Sequence, residues 1–318
     1  MQRIRLGDAL KLRSIQVLRG VAAMAVVAHH AFPDTKSVGA AGVDLFFVIS
    51  GFIMATCAGG RRPLEFLADR AWRIYPLWLI ALAPWLAIDP QDLLHVVRSV
   101  TLWPVYGGQF LNPALGIGWT LSFEFLFYLG FASALATRPM VPLLLFCLCL
   151  VLGLETNSVL FWFLGSPLTF EFLLGVAITR LPRSERTGIV AIGFGLLWFA
   201  LSPSGFYNQA FGVGALYRML AWGVPAALVV YGAWCLERRF AGRAFDFPVL
   251  LGSASFSIYL FHQLVMLEVQ GLAGFVMSAL VGIAAFIGLE RPIMKRRPRW
   301  GSQRIAQAQE GRSASLLT

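Results

Sequence analysis

Long blocks of apolar residues constrain this chain more than any other feature of its sequence. Ten such blocks can be drawn through its 318 residues. Most are about 18–22 residues long, which is enough to cross a hydrocarbon core of about 30 Å. Because lipid offers no hydrogen-bonding partners, each block must satisfy its own backbone groups, and a helix does so. We therefore predict an all-α integral membrane protein, a polytopic bundle of about ten transmembrane helices. The blocks cover residues 15–33, 39–58, 73–89, 117–136, 139–155, 160–180, 188–202, 214–236, 249–269 and 270–289.

Basic residues are distributed unevenly between the two sides that ten crossings would define. If the odd-numbered crossings run outward, 23 of the 26 Lys and Arg residues fall on the inner side, and Lys36, Arg98 and Arg218 do not. This bias follows the positive-inside rule and predicts that the N- and C-termini are cytoplasmic. The net charge of +10 is then a topology signal first and a contact for anionic lipid second, and it does not indicate nucleic acid.

The chain divides into one membrane domain with a basic segment at each end. We predict a cytoplasmic basic N-terminus at 1–14, a membrane domain at 15–290, and a basic, disordered cytoplasmic tail at 291–318. The four cysteines lie in or beside apolar blocks without metal-ligand spacing. We therefore expect neither a metal site nor a disulfide framework.

The first block contains the strongest catalytic candidate. Arg19 precedes His30 by eleven residues, a rise of about 16 Å along a helix, so the histidine would lie near mid-membrane or in its outer half. A neutral imidazole can take and return a proton near pH 7, although a single buried histidine is more often structural. His29 points about 100° away and is the alternative.

Three further ionisable residues would lie at a similar depth. Asp44 follows the start of the second block, Glu124 lies about 10 Å into the fourth, and His262 lies about 20 Å along the ninth. Ionisable groups inside a membrane are costly, so each is a functional candidate. Asp44 could orient an imidazole, or could be a helix-start carboxylate favoured by the dipole. Depth gives no helix rotation, so a site shared with His30 is a hypothesis; Glu171 would lie deeper.

The inner side has a different character. Arg70 and Arg73 are three residues apart at the start of a helix, close to the aromatic residues Trp72 and Tyr75. Paired guanidinium groups suit phosphate or diphosphate, and ordinary positive-inside anchoring is the alternative. The sequence thus predicts a site that is cationic at its inner end and capable of acid–base chemistry at its outer end.

These motifs together resemble the integral-membrane acyltransferases of type 3, most closely the exopolysaccharide acetyltransferase branch. The resemblance covers nearly the whole chain, and five motifs in order make it specific. They are Arg19-x10-His30, GVDLFFVISGF at 42–52, Arg70-x2-Arg73-Ile-Tyr-Pro at 70–76, GWTLSFEFLFY at 118–128 and SFSIYLFH at 255–262. The chain departs from the common pattern at His29, where a bulky apolar or aromatic residue usually precedes the histidine.

The resemblance implies transfer of an acyl group, most commonly acetyl, from cytoplasmic acyl-CoA to a sugar hydroxyl. The acceptor would be an envelope or exported polysaccharide or its lipid-linked precursor, and the location a bacterial inner membrane. His30 matches the family's catalytic histidine, Arg19 the arginine that opens that motif, and Arg70 and Arg73 the pair associated with the coenzyme. Tyr75 belongs to the same motif, and we expect Arg19 and Tyr75 to bind the coenzyme together with Arg70 and Arg73. Asp44, Glu124 and His262 lie in family motifs with less settled roles, and we count them with His30 as the catalytic candidates.

The expected mechanism leaves two points open. His30 acts as general base on the sugar hydroxyl or is itself transiently acylated, while Asp44 or Glu124 orients or balances the imidazolium. The rival function is a non-enzymatic carrier of lipid-linked glycan or acyl-CoA. Such a carrier typically shows internal repeats and interrupted helices, and we find neither in the sequence.

Overall fold

The computed structural model describes residues 12–33, 38–57, 61–89, 92–206 and 209–298, and within these ranges the chain is almost entirely helical. Helices occupy every one of the ten apolar blocks. They are α1 (Arg13–Ala31), α2 (Gly42–Cys57), α3 (Pro63–Ile88), α4 (Leu93–Thr101), α5 (Trp119–Ala136), α6 (Met140–Thr156), α7 (Val159–Leu164), α8 (Thr169–Ile178), α9 (Glu185–Leu201), α10 (Gly212–Arg218), α11 (Val224–Cys235), α12 (Asp246–Ser253), α13 (Ser255–Met266), α14 (Gly271–Ala285) and α15 (Arg291–Lys295). A two-residue hairpin, β1 (Val105–Tyr106) and β2 (Gln109–Phe110), pairs antiparallel between α4 and α5.

Six helical stretches of the described chain are long and apolar enough to cross a membrane, which makes this an all-α membrane protein. A seventh is counted if α12 and α13, bent by 63° at their junction, form one span. The helices α6 and α9, with 17 residues each, fall short of that length. The count of ten crossings and the cytoplasmic position of both ends remain predictions. The six stretches are Gly39–Cys57, Pro63–Ile88, Gly116–Ala136, Val159–Ile178, Gly212–Cys235 and Gly271–Lys295.

Two boundaries differ from the sequence prediction because the helices continue through polar turns, which the apolar blocks do not include. The third helix begins at Pro63, ten residues before the predicted start at 73. Proline suits the first turn of a helix, and the turns that follow it are too polar to belong to the apolar block. At the other end, a π-helical turn at Phe286–Glu290 carries α14 into α15, so the predicted tail begins as helix through Lys295. The stretch 299–318 of that tail lies outside the described residues.

Helix α2 lies at the centre of the bundle because glycines allow its neighbours to approach closely. A Cβ atom at Gly51 would lie 1.9 Å from the Phe172 carbonyl oxygen of α8, and one at Gly175 would lie 2.0 Å from that of Val48. On the adjoining side, a Cβ atom at Gly252 would lie 1.8 Å from the Gln16 carbonyl oxygen of α1. Small residues permit such contacts between membrane helices. This packing sets α8 against α2 and α12 against α1, and residues of α1, α2, α3, α5 and α13 line the region that contains the candidate site.

Candidate active site

Two of the predicted residues form a histidine pair. The Nδ1 atom of His30, in the last turn of α1, lies 3.3 Å from the Nε2 atom of His262 in α13. Their ring centroids are 4.9 Å apart. His262 is completely buried and His30 is half-buried. The neighbouring His29 meets His30 edge-on, with centroids 5.3 Å apart. His30 is therefore the histidine of α1 that contacts His262 of α13.

The partners of the two rings assign their protons. The Nδ1 atom of His262 lies 2.7 Å from the Tyr259 carbonyl oxygen, which can only accept, so this nitrogen carries the hydrogen and Nε2 the lone pair. The Nδ1 atom of His30 faces that lone pair and, at 3.0 Å, the Val26 carbonyl oxygen, so it also carries a hydrogen. The Nε2 atom of His30 is then unprotonated, with the Gln263 amide nitrogen 3.5 Å away. This nitrogen has the chemistry of a general base.

A second group of predicted residues lines one pocket, which we call the basic pocket. Arg19, Arg70 and Arg73 bring three positive charges to its wall from α1 and α3, and Glu124 brings one carboxylate from α5. The remaining lining residues are Val43, Phe46, Phe47, Ile49, Ser50, Ile53, Met54, Ile74, Thr120, Leu121, Tyr128, Ser255, Phe256 and Tyr259. The pocket thus combines three cationic side chains and one carboxylate with mostly apolar and aromatic walls.

The three arginines of the basic pocket differ in how their charges are balanced. Arg73 forms an ion pair with Glu290, a buried carboxylate that also accepts a hydrogen bond from the Ser257 hydroxyl. Arg70 makes no ion pair with the described residues, and its buried Nε atom has no hydrogen-bond partner among them. Arg19 makes one long hydrogen bond, 3.4 Å, to the Gln16 side chain. Arg70 and Arg19 therefore keep most of their donor capacity for a ligand.

A further pair of arginines lies at the start of α3, beside Arg70. The buried carboxylate of Asp69 accepts from Arg61 at 2.6 Å and from Arg297 at 2.9 Å. Partial burial lowers the pKa of the Arg61 guanidinium below its ordinary value, and Asp69 partly opposes that shift. These contacts attach the segment after α15 to the same end of the bundle as the basic pocket.

Glu124 and Asp44 do not contact His30 in the described structure. Glu124 accepts hydrogen bonds from the Ser50 hydroxyl at 2.9 Å and from the Tyr128 hydroxyl. Asp44 accepts two from Arg218, at 2.9 and 2.8 Å, and both side chains are buried. The expectation that either carboxylate orients the imidazole therefore needs correction. The reason is helix rotation: similar depths placed these residues in one layer, but α2 turns Asp44 toward α10.

Arg218 is the residue that the sequence reasoning left without a role. Arg218 is one of the three basic residues that do not fall on the predicted inner side of the membrane. A single arginine within an apolar segment indicates a buried partner. Trp119 and Trp222 lie against its guanidinium, at 5.5 and 5.3 Å from the ring centroids. Glu171 is also fully buried, close to Asp44 and Arg218. This cluster ties α2, α5, α8 and α10 together.

Tyr75 lies apart from the basic pocket. Its hydroxyl donates to the Thr101 carbonyl oxygen at 3.2 Å, and its ring packs edge-on against Phe125 at 5.4 Å. Tyr75 is two residues from Arg73, and about 100° of rotation per residue turns it to another face of α3. The structure therefore does not bring it to the group with which it was predicted to act.

A helical membrane protein that combines a histidine pair with a separate basic pocket has the parts of a membrane-bound group-transfer enzyme. The comparison with known families gives the class directly. The chain belongs to the type 3 acyltransferase family, because the family model described as an acyltransferase domain matches residues 12–289.

Two curated relatives show how far the similarity extends. The chain is 36% identical to "Exopolysaccharide production protein ExoZ" of Rhizobium meliloti over 313 residues, covering 87% of this chain and 96% of the relative. It is 26% identical to "Acyltransferase MdmB" of Streptomyces mycarofaciens over 319 residues, covering 81% and 79% of the two chains. No solved structure matches this chain.

Proposed function

We propose that this protein transfers an acyl group, acetyl in the first instance, from cytoplasmic acyl-CoA to a hydroxyl of an envelope or exported polysaccharide or its lipid-linked precursor. The observation that carries the proposal is the placement of the basic pocket and the unprotonated Nε2 atom of His30 along one helix. Membership of the acyltransferase family and the name of the exopolysaccharide production relative support it. The direct test is base-labile labelling of the cognate glycan by labelled acetyl-CoA in membranes with and without the protein.

The donor phosphates bind at the basic pocket in this proposal. Guanidinium groups bind phosphate through two parallel, charge-assisted hydrogen bonds. Arg73 is already paired with Glu290, whereas Arg70 and Arg19 form no ion pair with described residues. We therefore assign phosphate binding to Arg70 and Arg19, and assign Arg73 the role of holding the pocket wall through Glu290. This refines the assignment by motif alone, which paired Arg70 with Arg73.

His30 performs the chemical step. Its Nε2 atom takes the proton of the sugar hydroxyl while that oxygen attacks the thioester carbonyl carbon. The carbon–sulfur bond then breaks, and the imidazolium returns the proton to the departing thiolate, so that an ester and free coenzyme A leave. His262 accepts a hydrogen bond from the Nδ1–H group of His30 and holds the ring in the required tautomer. Labelled acetyl-CoA given without acceptor tests the covalent alternative, because an acyl-histidine would retain label on the protein.

The two ends of the site are spaced for an extended donor. Arg19 and His30 are eleven residues apart on one continuous helix, a rise of about 16 Å. Coenzyme A carries its phosphates and its thioester at opposite ends of the pantetheine arm. A donor anchored by its phosphates at Arg19 would therefore direct its acyl end along α1 toward the histidine pair.

Alanine at Arg70 is expected to weaken donor binding without changing the chemical step. The KM for acetyl-CoA should rise about 10- to 100-fold, the loss expected for one charge-assisted hydrogen-bonding group, while kcat stays within about twofold. Initial-rate kinetics in detergent or vesicles measure both constants. Arg62→Ala is the matched control, because this exposed arginine does not line the basic pocket. Equal KM values for wild type and Arg70→Ala would remove Arg70 from the donor site.

Arg73→Ala is expected to act differently, through stability. It leaves the buried carboxylate of Glu290 without its cation, so the amount of folded protein should fall. Adding Glu290→Gln should restore folding, because the amide does not carry the unbalanced charge. A fluorescence size-exclusion profile separates this outcome from a pure binding defect. Wild-type stability for Arg73→Ala together with a raised KM would instead assign Arg73 to the phosphates.

A further inference from the structure

One tyrosine of α13 lies next to both the basic pocket and the histidine pair. Tyr259 lines the pocket together with Thr120 and Phe46, whereas neither histidine of the pair lines it. His262 lies one turn further along α13, with its ring centroid 5.9 Å from that of Tyr259. The Tyr259 ring therefore borders the basic pocket and also lies beside the His262 ring of the histidine pair.

The position of that ring is held by hydrogen bonds. The Tyr259 hydroxyl lies 2.8 Å from the Thr120 hydroxyl and donates to the Ile117 carbonyl oxygen at 3.2 Å. Phe46 packs edge-on against the ring, at 6.0 Å between centroids. Tyr259 is 6% exposed, so these contacts are made away from bulk water. They tie α13 to the start of α5 and hold the ring in the wall of the pocket.

The spacing on α13 shows what a movement of this side chain would do. Ser255, Tyr259 and His262 recur at i, i+4 and i+7, which places them on one face of the helix. Ser255 lines the basic pocket and His262 belongs to the histidine pair. On this face Tyr259 is the side chain between them. Tyr259 is therefore the side chain whose rotation would change the separation between the basic pocket and the histidine pair.

We propose that Tyr259 is a gate that separates the donor thioester from His30 until the acceptor is present, so that the enzyme selects a sugar hydroxyl over water. This inference rests on the proposed acyl transfer. With the ring held by Thr120 and Ile117, a bound donor cannot meet the base. When the side chain rotates away, the carbonyl carbon comes within reach of the oxygen that His30 activates. Tyr259 acts through access and is a specificity-determining residue rather than a catalytic one.

Removing the hydroxyl should loosen the closed position and allow water to react. Tyr259→Phe keeps the ring but loses both hydrogen bonds, so hydrolysis of acetyl-CoA without acceptor is expected to rise about 3- to 10-fold. In this side reaction the water oxygen bonds to the acyl carbon and the carbon–sulfur bond breaks. One proton goes to the thiolate, and the acid releases another. Thr120→Val loses one bond and should give a smaller rise.

The double variant and a remote control make the test specific. Because both substitutions remove the same contact, Tyr259→Phe with Thr120→Val should hydrolyse no faster than Tyr259→Phe alone. Tyr231→Phe is the matched control: its hydroxyl contacts the Thr187 hydroxyl at 3.1 Å and the Pro182 carbonyl oxygen at 2.7 Å, away from the pocket. It should leave hydrolysis unchanged. Adding His30→Ala to Tyr259→Phe should abolish the extra hydrolysis, since the gate acts by exposing the thioester to that base.

The outcomes separate the gate from the proposed function. A raised ratio of hydrolysis to transfer in Tyr259→Phe, dependent on His30, supports the gate. Normal transfer by wild type with an unchanged ratio in Tyr259→Phe and Thr120→Val overturns the gate and leaves the acyltransferase function standing. Equal loss of both reactions also overturns it, because a structural role lowers both. Absence of transfer by folded wild-type protein overturns the proposed function and the gate with it.

Discussion

Replacing His30 by alanine is expected to lower acyl transfer about 10²- to 10⁴-fold, the usual contribution of a positioned general base. The substitution removes the Nε2 atom of His30. In the histidine pair this is the unprotonated nitrogen that remains available to a substrate, because the lone pair of His262 Nε2 faces the His30 ring. Donor binding should survive, because the basic pocket does not include this residue. Transfer rates at saturating acetyl-CoA, with equal amounts of folded protein, measure the loss.

Two neighbouring histidines serve as controls for His30→Ala. His29→Ala should retain most of the activity, because it is His30 that contacts His262. His262→Ala should be intermediate, since it removes the acceptor for the Nδ1–H group of His30 but leaves the Nε2 atom in place. Equal transfer by wild type and His30→Ala would remove His30 from the mechanism. The base would then have to be His29, His262 or Glu124 in the basic pocket.

Replacing Arg218 by methionine is expected to destabilise the fold by about 3–5 kcal/mol, the usual cost of leaving one member of a buried ion pair without its partner. Asp44 is fully buried and would lose two hydrogen bonds, with the buried carboxyl group of Glu171 nearby. Less folded protein and a lower melting temperature in detergent should result. Thermal unfolding followed by size-exclusion chromatography measures both.

A double replacement and an exposed pair are the controls for this effect. Arg218→Met combined with Asp44→Leu removes both charges and is expected to recover much of the stability, because apolar residues can replace a buried pair. Arg239→Ala breaks an ion pair with Glu185 in which both side chains are more than half exposed, and should cost about 1 kcal/mol or less. Wild-type stability for Arg218→Met would show that the cluster does not hold the helices together.

The class of fold was predictable from the sequence because lipid imposes one solution on long apolar segments. Boundaries were less predictable where helices continue through polar turns, as at Pro63, or through a π-helical turn, as at Phe286–Glu290. The bend of 63° between α12 and α13 left no mark in the apolar pattern. Six or seven segments of the described chain have the length and apolarity of a membrane span, compared with the ten apolar blocks of the sequence. Several blocks therefore correspond to helices that are shorter or bent.

The members of the site were predictable as single residues, but their partners were not. The free-energy cost of an ionisable side chain inside a membrane identified His30, His262, Asp44 and Glu124 as candidates. The structure brings the two histidines into contact. Which face of each helix turns inward depends on packing among several helices, so the Asp44–Arg218 pair and the contact of Glu124 with Ser50 required coordinates. The same holds for Arg73, whose charge is balanced by a residue 217 positions later in the chain.

Transfer measured in sealed membrane vesicles of known orientation tests the central claim most directly. Acetyl-CoA does not cross a bilayer, so it reaches a cytoplasmic pocket in inside-out vesicles and not in right-side-out ones. We predict base-labile label on the glycan from inside-out vesicles containing the wild type, and none from right-side-out vesicles or from His30→Ala. Absence of label from acetyl-CoA and from longer acyl-CoA in both orientations, with glycan or acyl-CoA moving across the membrane instead, would contradict acyl transfer and indicate a carrier.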